Sequence, residues 1–324
     1  MADLNSMKTK IVYTVISGDS DIYLPQTMVA AYTARRYNPN ASIIIVTDYA
    51  TNLVINTRLS AIKGYVSDII VVDIPTELNK MQRSRYLKTT LRHHVKGDFL
   101  YVDTDTIITG DLSEADNLNV EIGAVLDRHT KMEEHVFKKK IESEISVVGL
   151  QIRDLRNCYF NSGVMYVKDT QTAYELYDLW YKYWDGSRKQ GISIDQPALA
   201  KANKDCNYPI QELSGIWNCQ LQDNFVNYLS NALILHYFAS AKSSPFLLYD
   251  DDIFKSILEN GEIPEMLVSK LEKPKEFFVK NHLLVYGKDI LFYRTHLYAI
   301  FKYHEKVFRI FEYFAHMLVN RRLW

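Results

Sequence analysis

Residues 99–112 read Phe99-Leu100-Tyr101-Val102-Asp103-Thr104-Asp105-Thr106-Ile107-Ile108-Thr109-Gly110-Asp111-Leu112. Four apolar, β-prone residues run straight into two carboxylates at i and i+2. The apolar run predicts a short buried strand. The carboxylates at its end form a small anionic pocket. Hard divalent cations such as Mg²⁺ and Mn²⁺ take oxygen ligands and commonly bridge protein carboxylates to substrate phosphates. Asp-x-Asp is a short and common pattern, and an acidic loop capping a strand has the same appearance. The surrounding chain has to decide between the two.

Upstream, Lys10-Ile11-Val12-Tyr13-Thr14-Val15-Ile16 reads as a buried strand, broken by Gly18-Asp19-Ser20-Asp21. A helix is predicted from Pro25 to Arg36, ended by Asn38-Pro39-Asn40. Ser42–Val46 is a second strand, residues 52–63 a helix, and Ile69–Val72 a third strand. Residues 81–94 predict a helix carrying Arg83, Arg85, Lys88 and Arg92. Strand and helix thus alternate, and the strands are almost continuously apolar. That is the pattern of a mostly parallel sheet covered on both faces. Ligands of such sheets sit beyond the carboxyl ends of the strands, where Asp103 and Asp105 fall. Further on, 122–126, 163–167 and 232–236 read as strands, 171–184 as a helix, and the chain beyond about residue 250 as helical.

Composition narrows the class. With 47% apolar and 24% charged residues over 324 positions, the chain can bury a sizeable core. A net charge of −1 implies no general nucleic-acid binder. The charge is uneven, with eleven Lys and Arg against five Asp and Glu from residue 266 onward. Cys158, Cys206 and Cys219 form no disulfide framework, so a reducing compartment is expected. Met1 to Lys10 lacks the apolar core of a signal peptide, and no run of eighteen apolar residues predicts a membrane span.

The string around Asp103 resembles glycosyltransferase family 8, the retaining enzymes that include glycogenin and bacterial lipopolysaccharide α-galactosyl- and α-glucosyltransferases. There a strand ends in a Tyr-Leu-Asp-x-Asp pattern followed by a Gly-Asp-Leu turn. Other segments agree in order: Ala124-Val125-Leu126-Asp127, Tyr159-Phe160-Asn161-Ser162-Gly163-Val164-Met165, Asp195-Gln196-Pro197-Ala198-Leu199, Trp217-Asn218-Cys219-Gln220, and His236 through Lys242. The resemblance spans residues 11 to about 246. It implies an α/β fold of the GT-A type, a Rossmann-like nucleotide-sugar transferase, with the catalytic domain over 7–250 and a helical, basic and aromatic extension over 251–324.

Site roles follow from the same resemblance. Asp103, Asp105 and His236 would hold Mn²⁺ or Mg²⁺, with Thr104 lying between the two carboxylates against the donor. Thr14 and Tyr23 would hold the nucleobase of a UDP-sugar, and Lys88 and Lys242 its phosphates. Asp127, Asn161, Asp195 and Gln196 would hold and polarise the sugar, Gln196 by offering its carbonyl oxygen to the forming oxocarbenium ion. Arg83 and Arg85 are either donor contacts or solvated helix charges. The chain departs from the family pattern at three places: Lys88 stands where Arg is usual, Ala239 where Gly is usual, and Ser243-Ser244-Pro245-Phe246 replaces a tighter Pro-Trp. Lys cannot make the two-pronged planar contact of Arg.

The expected reaction is transfer of galactose or glucose, with retention, to a glycan or lipid-linked glycan acceptor of a bacterial surface polysaccharide or lipopolysaccharide. Residues 290–324 carry apolar and aromatic residues at helical spacing among Lys302, Lys306, Arg309, Arg321 and Arg322. They read either as a helix packed on the core or as an attachment to an anionic membrane surface. A cytoplasmic protein, peripheral on the inner face of the cytoplasmic membrane, is the expectation. Three rivals share parts of the pattern. A phosphatase with an Asp-x-Asp-x-Thr loop would begin its domain with that loop, whereas three strands precede it here. A sugar nucleotidyltransferase needs a Gly-rich basic loop after its first strand, absent from Val15-Ile16-Ser17-Gly18-Asp19. A non-catalytic sugar-nucleotide-binding protein would share the fold.

Overall fold

The structure is a computed structural model describing residues 7–221, 225–237, 251–274, 300 and 304–320. Its centre is a seven-stranded sheet in the order β3-β2-β1-β4-β7-β6-β8. The strands are β1 (Lys10–Val15), β2 (Ile43–Thr47), β3 (Asp68–Val71), β4 (Phe99–Val102), β6 (Ile122–Leu126), β7 (Phe160–Val167) and β8 (Ile210–Glu212). The first four run parallel, as their apolar runs predict. β7 is antiparallel to both β4 and β6, so the sheet is parallel in its first half and mixed in its second. A second, three-stranded sheet holds β5 (Thr106–Ile108), β9 (Cys219–Gln220) and β10 (Ile234–His236), in the order β5-β10-β9.

Successive side chains of a strand point to opposite faces, and both faces here are buried. Ile11, Tyr13 and Val15 of β1 enter one core, while Val12 and the adjoining Ile16 enter the other. The first core also takes Leu24 and Met28 of α1 (Tyr23–Tyr37). The second takes Leu87 of α3 (Lys80–Thr89), Trp180 and Trp184 of α6 (Gln171–Arg188), and Ala198 and Leu199 of α7 (Gln196–Asp205). The expected helix over 52–63 is α2 (Tyr49–Thr57) followed by a 3₁₀ turn at Ser60–Gly64, started by Asp48, whose carboxylate accepts the Thr51 N–H. The expected helix over 81–94 breaks at Thr90 into α3 and the short α4 (Leu91–His94). A capping box between Asn79 and Gln82 sets the start of α3 and with it the faces of Arg83, Arg85 and Lys88.

Between β6 and β7, residues 128–159 build a small cap. It contains α5 (Lys138–Ser146) and its own core of Met132, Ile141, Ile145, Leu150, Leu155 and Tyr159. After α8 (Val226–Leu229), the helical stretch opens with α9 (Asp251–Asn260) and α10 (Glu265–Leu271). Phe254, Ile257, Leu267 and Leu271 join the first core, so both helices pack on the sheet domain. The last described helix, α11 (Glu305–Asn320), exposes Val307, Ile310, Phe311, Phe314 and Met317.

Candidate functional site

Asp103-Thr104-Asp105 is where the chain crosses from the large sheet to the small one. β4 ends at Val102 and β5 starts at Thr106. The crossing is pinned from both sides. The Asp103 N–H donates to Gly163 O of β7 at 2.7 Å, and the Tyr237 N–H donates to Asp105 O at 3.1 Å. The Thr106 hydroxyl closes the bend by donating to Asp103 O at 2.8 Å. β10 pairs antiparallel with β5 with His236 opposite Thr106, which carries His236 to the two carboxylates. His236 Nε2 lies 3.3 Å from Asp105 Oδ1. Asp103, Asp105 and His236 each offer a ligand atom within 4.8 Å of the other two. Thr104 between them is half-buried.

Two features fit this triad to a divalent cation. The first is the imidazole tautomer. Asn218 Nδ2 donates to Asn161 Oδ1 at 2.9 Å, which turns Asn218 Oδ1 toward His236 Nδ1 at 3.0 Å. A carbonyl oxygen only accepts, so Nδ1 carries a proton and Nε2 is the ring nitrogen turned to the carboxylates. Metal-binding histidines are commonly oriented by such a second hydrogen bond. The second feature is space. A Cβ on Gly163 would collide with His236 Cε1 and lie 2.8 Å from Asp103 Oδ2 and 2.9 Å from Asn161 Oδ1. Glycine leaves open the volume on which these three side chains converge. Two carboxylates and an imidazole suit Mn²⁺ or Mg²⁺.

Asp103 also belongs to a buried charge cluster. It accepts from the Tyr101 hydroxyl and from Lys88 Nζ at 3.2 Å. Burial and then the Asp103 charge push the Tyr101 hydroxyl well above its usual pKa, so it remains a donor. Thr14 Oγ1 is 3.3 Å from the same hydroxyl. Lys88 is buried and reaches Asp195 Oδ2 at 3.7 Å, while Arg85 Nε meets Asp195 Oδ1 at 3.0 Å. Ser162 donates to Asp195 at 2.8 Å. Burial opposes ionisation of Asp195, but Lys88 and Arg85 outweigh it and hold the carboxyl below its ordinary value. Asp195 stands at the start of α7, where the positive end of the helix dipole adds to the effect, and Gln196 follows it. Gln196 Nε2 donates to Phe160 O at 3.0 Å.

Asp127, just beyond β6, completes the arrangement. Asn161 donates to its Oδ1 at 3.2 Å, and His135 Nε2 meets its Oδ2 at 3.1 Å. His135 Nδ1 accepts the Phe137 N–H at 3.1 Å, so the ring proton is on Nε2 and is donated to Asp127. Burial pushes the Asp127 carboxyl up, but His135, Arg128 and Asn161 reverse this and leave it far below the usual carboxylate range. Hydrogen bonds therefore run unbroken from His236 through Asn218 and Asn161 to Asp127 and His135.

These groups line one cleft of about 320 Å³. It brings together Asp103, Asp105, His236, Lys88, Asp127, Asn161, Asp195 and Gln196 of the residues expected from the sequence. Thr14 and Tyr23 do not line it: Thr14 is buried in β1, and Tyr23 is 46% exposed at the start of α1 with the Lys80 ammonium over its ring. Lys242 lies outside the described residues. Arg85, left open between donor contact and solvated charge, is a cleft residue paired with Asp195, whereas Arg83 pairs with Asp48 at 2.5 Å. The available signal was the i, i+3 spacing of Arg85 and Lys88, which puts both cations on one helix face. His135 and Gln220 had no such signal, because their partners lie in other elements.

Among solved structures, the galactosyltransferase LgtC, in complex with donor and acceptor sugar analogues, superposes with a TM-score of 0.51 at 16% identity, over 81% of this chain and all of that one. The bifunctional glycosyltransferase WbbM superposes with a TM-score of 0.50 at 16% identity, over 84% of this chain and 53% of that one. No curated protein sequence matches the chain. The fold is that of the GT-A glycosyltransferases. Residues 14–243 match the model of glycosyl transferase family 8, and the chain belongs to that family.

Proposed function

We propose that this glycosyltransferase is metal-dependent and retaining, moving galactose or glucose from a UDP-sugar to a hydroxyl of a glycan acceptor in bacterial surface polysaccharide or lipopolysaccharide synthesis. The observation that carries the reading is the Asp103–Asp105–His236 triad, joined by hydrogen bonds to Asp127 in one cleft. Mn²⁺ or Mg²⁺ bound there supplies positive charge to a departing diphosphate. Asp103, Asp105 and His236 hold it. Asp127, Asn161 and Asp195 bond the donor sugar hydroxyls, two of them as carboxylates kept ionised by their neighbours. With its Nε2 bonded to Phe160 O, Gln196 keeps its carbonyl oxygen for the sugar face opposite the leaving group. Arg85 and Lys88 hold Asp195, and Lys88 together with Lys242 meets the phosphates. Thr14 and Tyr23 contact the uridine. The bond from the anomeric carbon to the diphosphate oxygen breaks, one to the acceptor oxygen forms with the same configuration, and the acceptor hydroxyl proton leaves with the diphosphate.

A phosphatase built on Asp103-Thr104-Asp105-Thr106 fits less well. The Thr106 hydroxyl is engaged by the carbonyl of Asp103 and sits in β5. The direct test is a thermal-shift panel of UDP, GDP, CMP, UDP-galactose and UDP-glucose, each with and without Mn²⁺. Ligands of the native state raise the melting temperature by mass action. A rise confined to the uridine ligands, and present only with Mn²⁺, is expected. No rise with any nucleotide would leave a binding protein that has lost its donor.

The exposed face of α11 favours a second property, attachment to an anionic membrane surface. Val307, Ile310, Phe311, Phe314 and Met317 share one helix face, with Lys306 and Arg309 in the same segment. Among the described residues no helix is long and apolar enough to cross a membrane. Phe311→Glu with Phe314→Glu is expected to abolish co-sedimentation with phosphatidylglycerol vesicles while donor binding persists. Equal sedimentation of variant and wild type would remove this reading.

A further inference from the structure

The turn that follows Asp127 has an unusual backbone. Arg128 (φ 56°) and His129 (φ 55°) are consecutive left-handed residues, and neither is glycine. Side-chain-bearing residues rarely adopt this conformation, and it persists only where the surroundings over-determine it. Here Gln220 supplies three of the restraints. Its Oε1 accepts the Arg128 N–H at 2.8 Å, its Nε2 donates to Leu126 O at 2.8 Å, and its own N–H donates to His129 Nε2 at 3.0 Å. One fully buried residue therefore bonds the backbone or ring on both sides of Asp127. Burial pushes His129 down to about 4, which keeps its ring neutral and able to accept.

Gln220 is also tied to the metal triad. It is the register partner of His236 in the β9–β10 pair, and the next residue, Leu221, donates its N–H to His236 O at 2.9 Å. The strand that carries His236 and the turn that carries Asp127 thus meet at this amide. No other side chain of the common type matches both ends: glutamate lacks the donor that Leu126 O needs, and methionine lacks both partners.

We infer that Gln220 is a positioning residue, clamping the left-handed Arg128–His129 turn to the His236 strand and so fixing Asp127 relative to the metal triad. The inference rests on the proposed roles of Asp127 toward the donor sugar and of the triad toward a cation. It divides the site into two halves with different sensitivities. The nucleotide and metal half, built on β4, β5 and β10, keeps its backbone ladder when the amide is removed. The sugar half loses the Gln220 restraint on the turn beside Asp127.

The test compares Gln220→Met with wild type. Methionine fills the same volume and retains the backbone N–H that bonds His129. Two quantities are measured: the affinity for UDP with Mn²⁺ by calorimetry, and the release of UDP from UDP-galactose or UDP-glucose, per folded molecule. The variant is expected to bind UDP within about threefold of wild type and to lose about 10²-fold in kcat, the order of loss that a displacement of about 1 Å brings. An unchanged kcat would overturn the inference. So would parallel losses of UDP affinity and kcat, because a merely structural role weakens both halves together. His129→Phe keeps a ring against Tyr228, 4.7 Å between centroids, and removes only the acceptor. It is expected to show the same split at smaller size, and it decides the matter if Gln220→Met does not fold. Failure of the wild-type protein itself to bind UDP with Mn²⁺ would instead fall on the proposed function, and the inference would go with it.

Discussion

Asp103→Asn is expected to lower donor turnover by about 10²–10³-fold, the usual scale for removing one pre-set electrostatic contact from a reacting site. The substitution keeps the shape of the side chain and removes one of the two carboxylates of the triad. It also removes a partner of a buried cation. Lys88 Nζ lies 3.2 Å from Asp103 and 3.7 Å from Asp195, so in the variant Asp195 is the one carboxylate left beside it among the described residues. A stability loss of about 1–3 kcal/mol is therefore expected alongside the loss of activity. Urea unfolding measures the first effect and UDP release at saturating Mn²⁺, normalised to folded protein, the second. The melting-temperature rise given by Mn²⁺ with UDP is expected to vanish as well. Turnover equal to wild type at saturating Mn²⁺ would remove Asp103 from the metal site and with it the proposed role of the triad.

Gly163→Ala is expected to damage the same site from the opposite wall. Gly163 lies inside β7, and what requires glycine there is space. The added methyl would collide with His236 Cε1 and crowd Asp103 Oδ2 and Asn161 Oδ1. Overpacking of this kind costs about 1–3 kcal/mol of stability. Here it is also expected to weaken Mn²⁺-dependent UDP binding at least about tenfold, since displaced outer-shell partners commonly cost 10–100-fold. Gly123→Ala is the control. Its Cβ would meet Leu213, at 2.8 Å from Cδ2, away from the triad. That variant is expected to lose stability and keep its metal dependence. If both variants lost stability equally and neither changed Mn²⁺-dependent binding, the crowding at Gly163 would have no bearing on the site.

The contrast between these glycines separates what a local reading reaches from what it does not. Strands β1, β2 and β4 were legible because a strand covered on both faces is apolar at almost every position, and that is a property of a few consecutive residues. The break of the predicted helix at Thr90 and the antiparallel direction of β7 were not legible, because composition carries no direction. Within the site, Asp103 and Asp105 were visible through their spacing after an apolar run. Arg85 was visible only as one of several cations on a helix. His135 gave no sign, and Gln220 stood only at the end of the Trp217–Gln220 segment with no role attached. Arg128 and His129 give no local sign of a left-handed turn, since the residue that signals such turns is glycine, and long-range hydrogen bonds impose theirs.

The amino-acid sequence by itself determined the alternation of strands and helices, the carboxylate pair at a strand end and the family to which the chain belongs. These depend on neighbours within a few positions, or on motifs in a set order. Only the tertiary structure decided that Asp103-Thr104-Asp105 bridges two sheets and that His236 comes to it through β5–β10 pairing. It alone decided that Gly163 leaves the volume between Asp103, Asn161 and His236, and that Gln220 ties the turn beside Asp127 to the His236 strand. Each of those contacts joins residues far apart along the chain. Their partners are chosen by which buried polar groups must find one another once the sheets have packed.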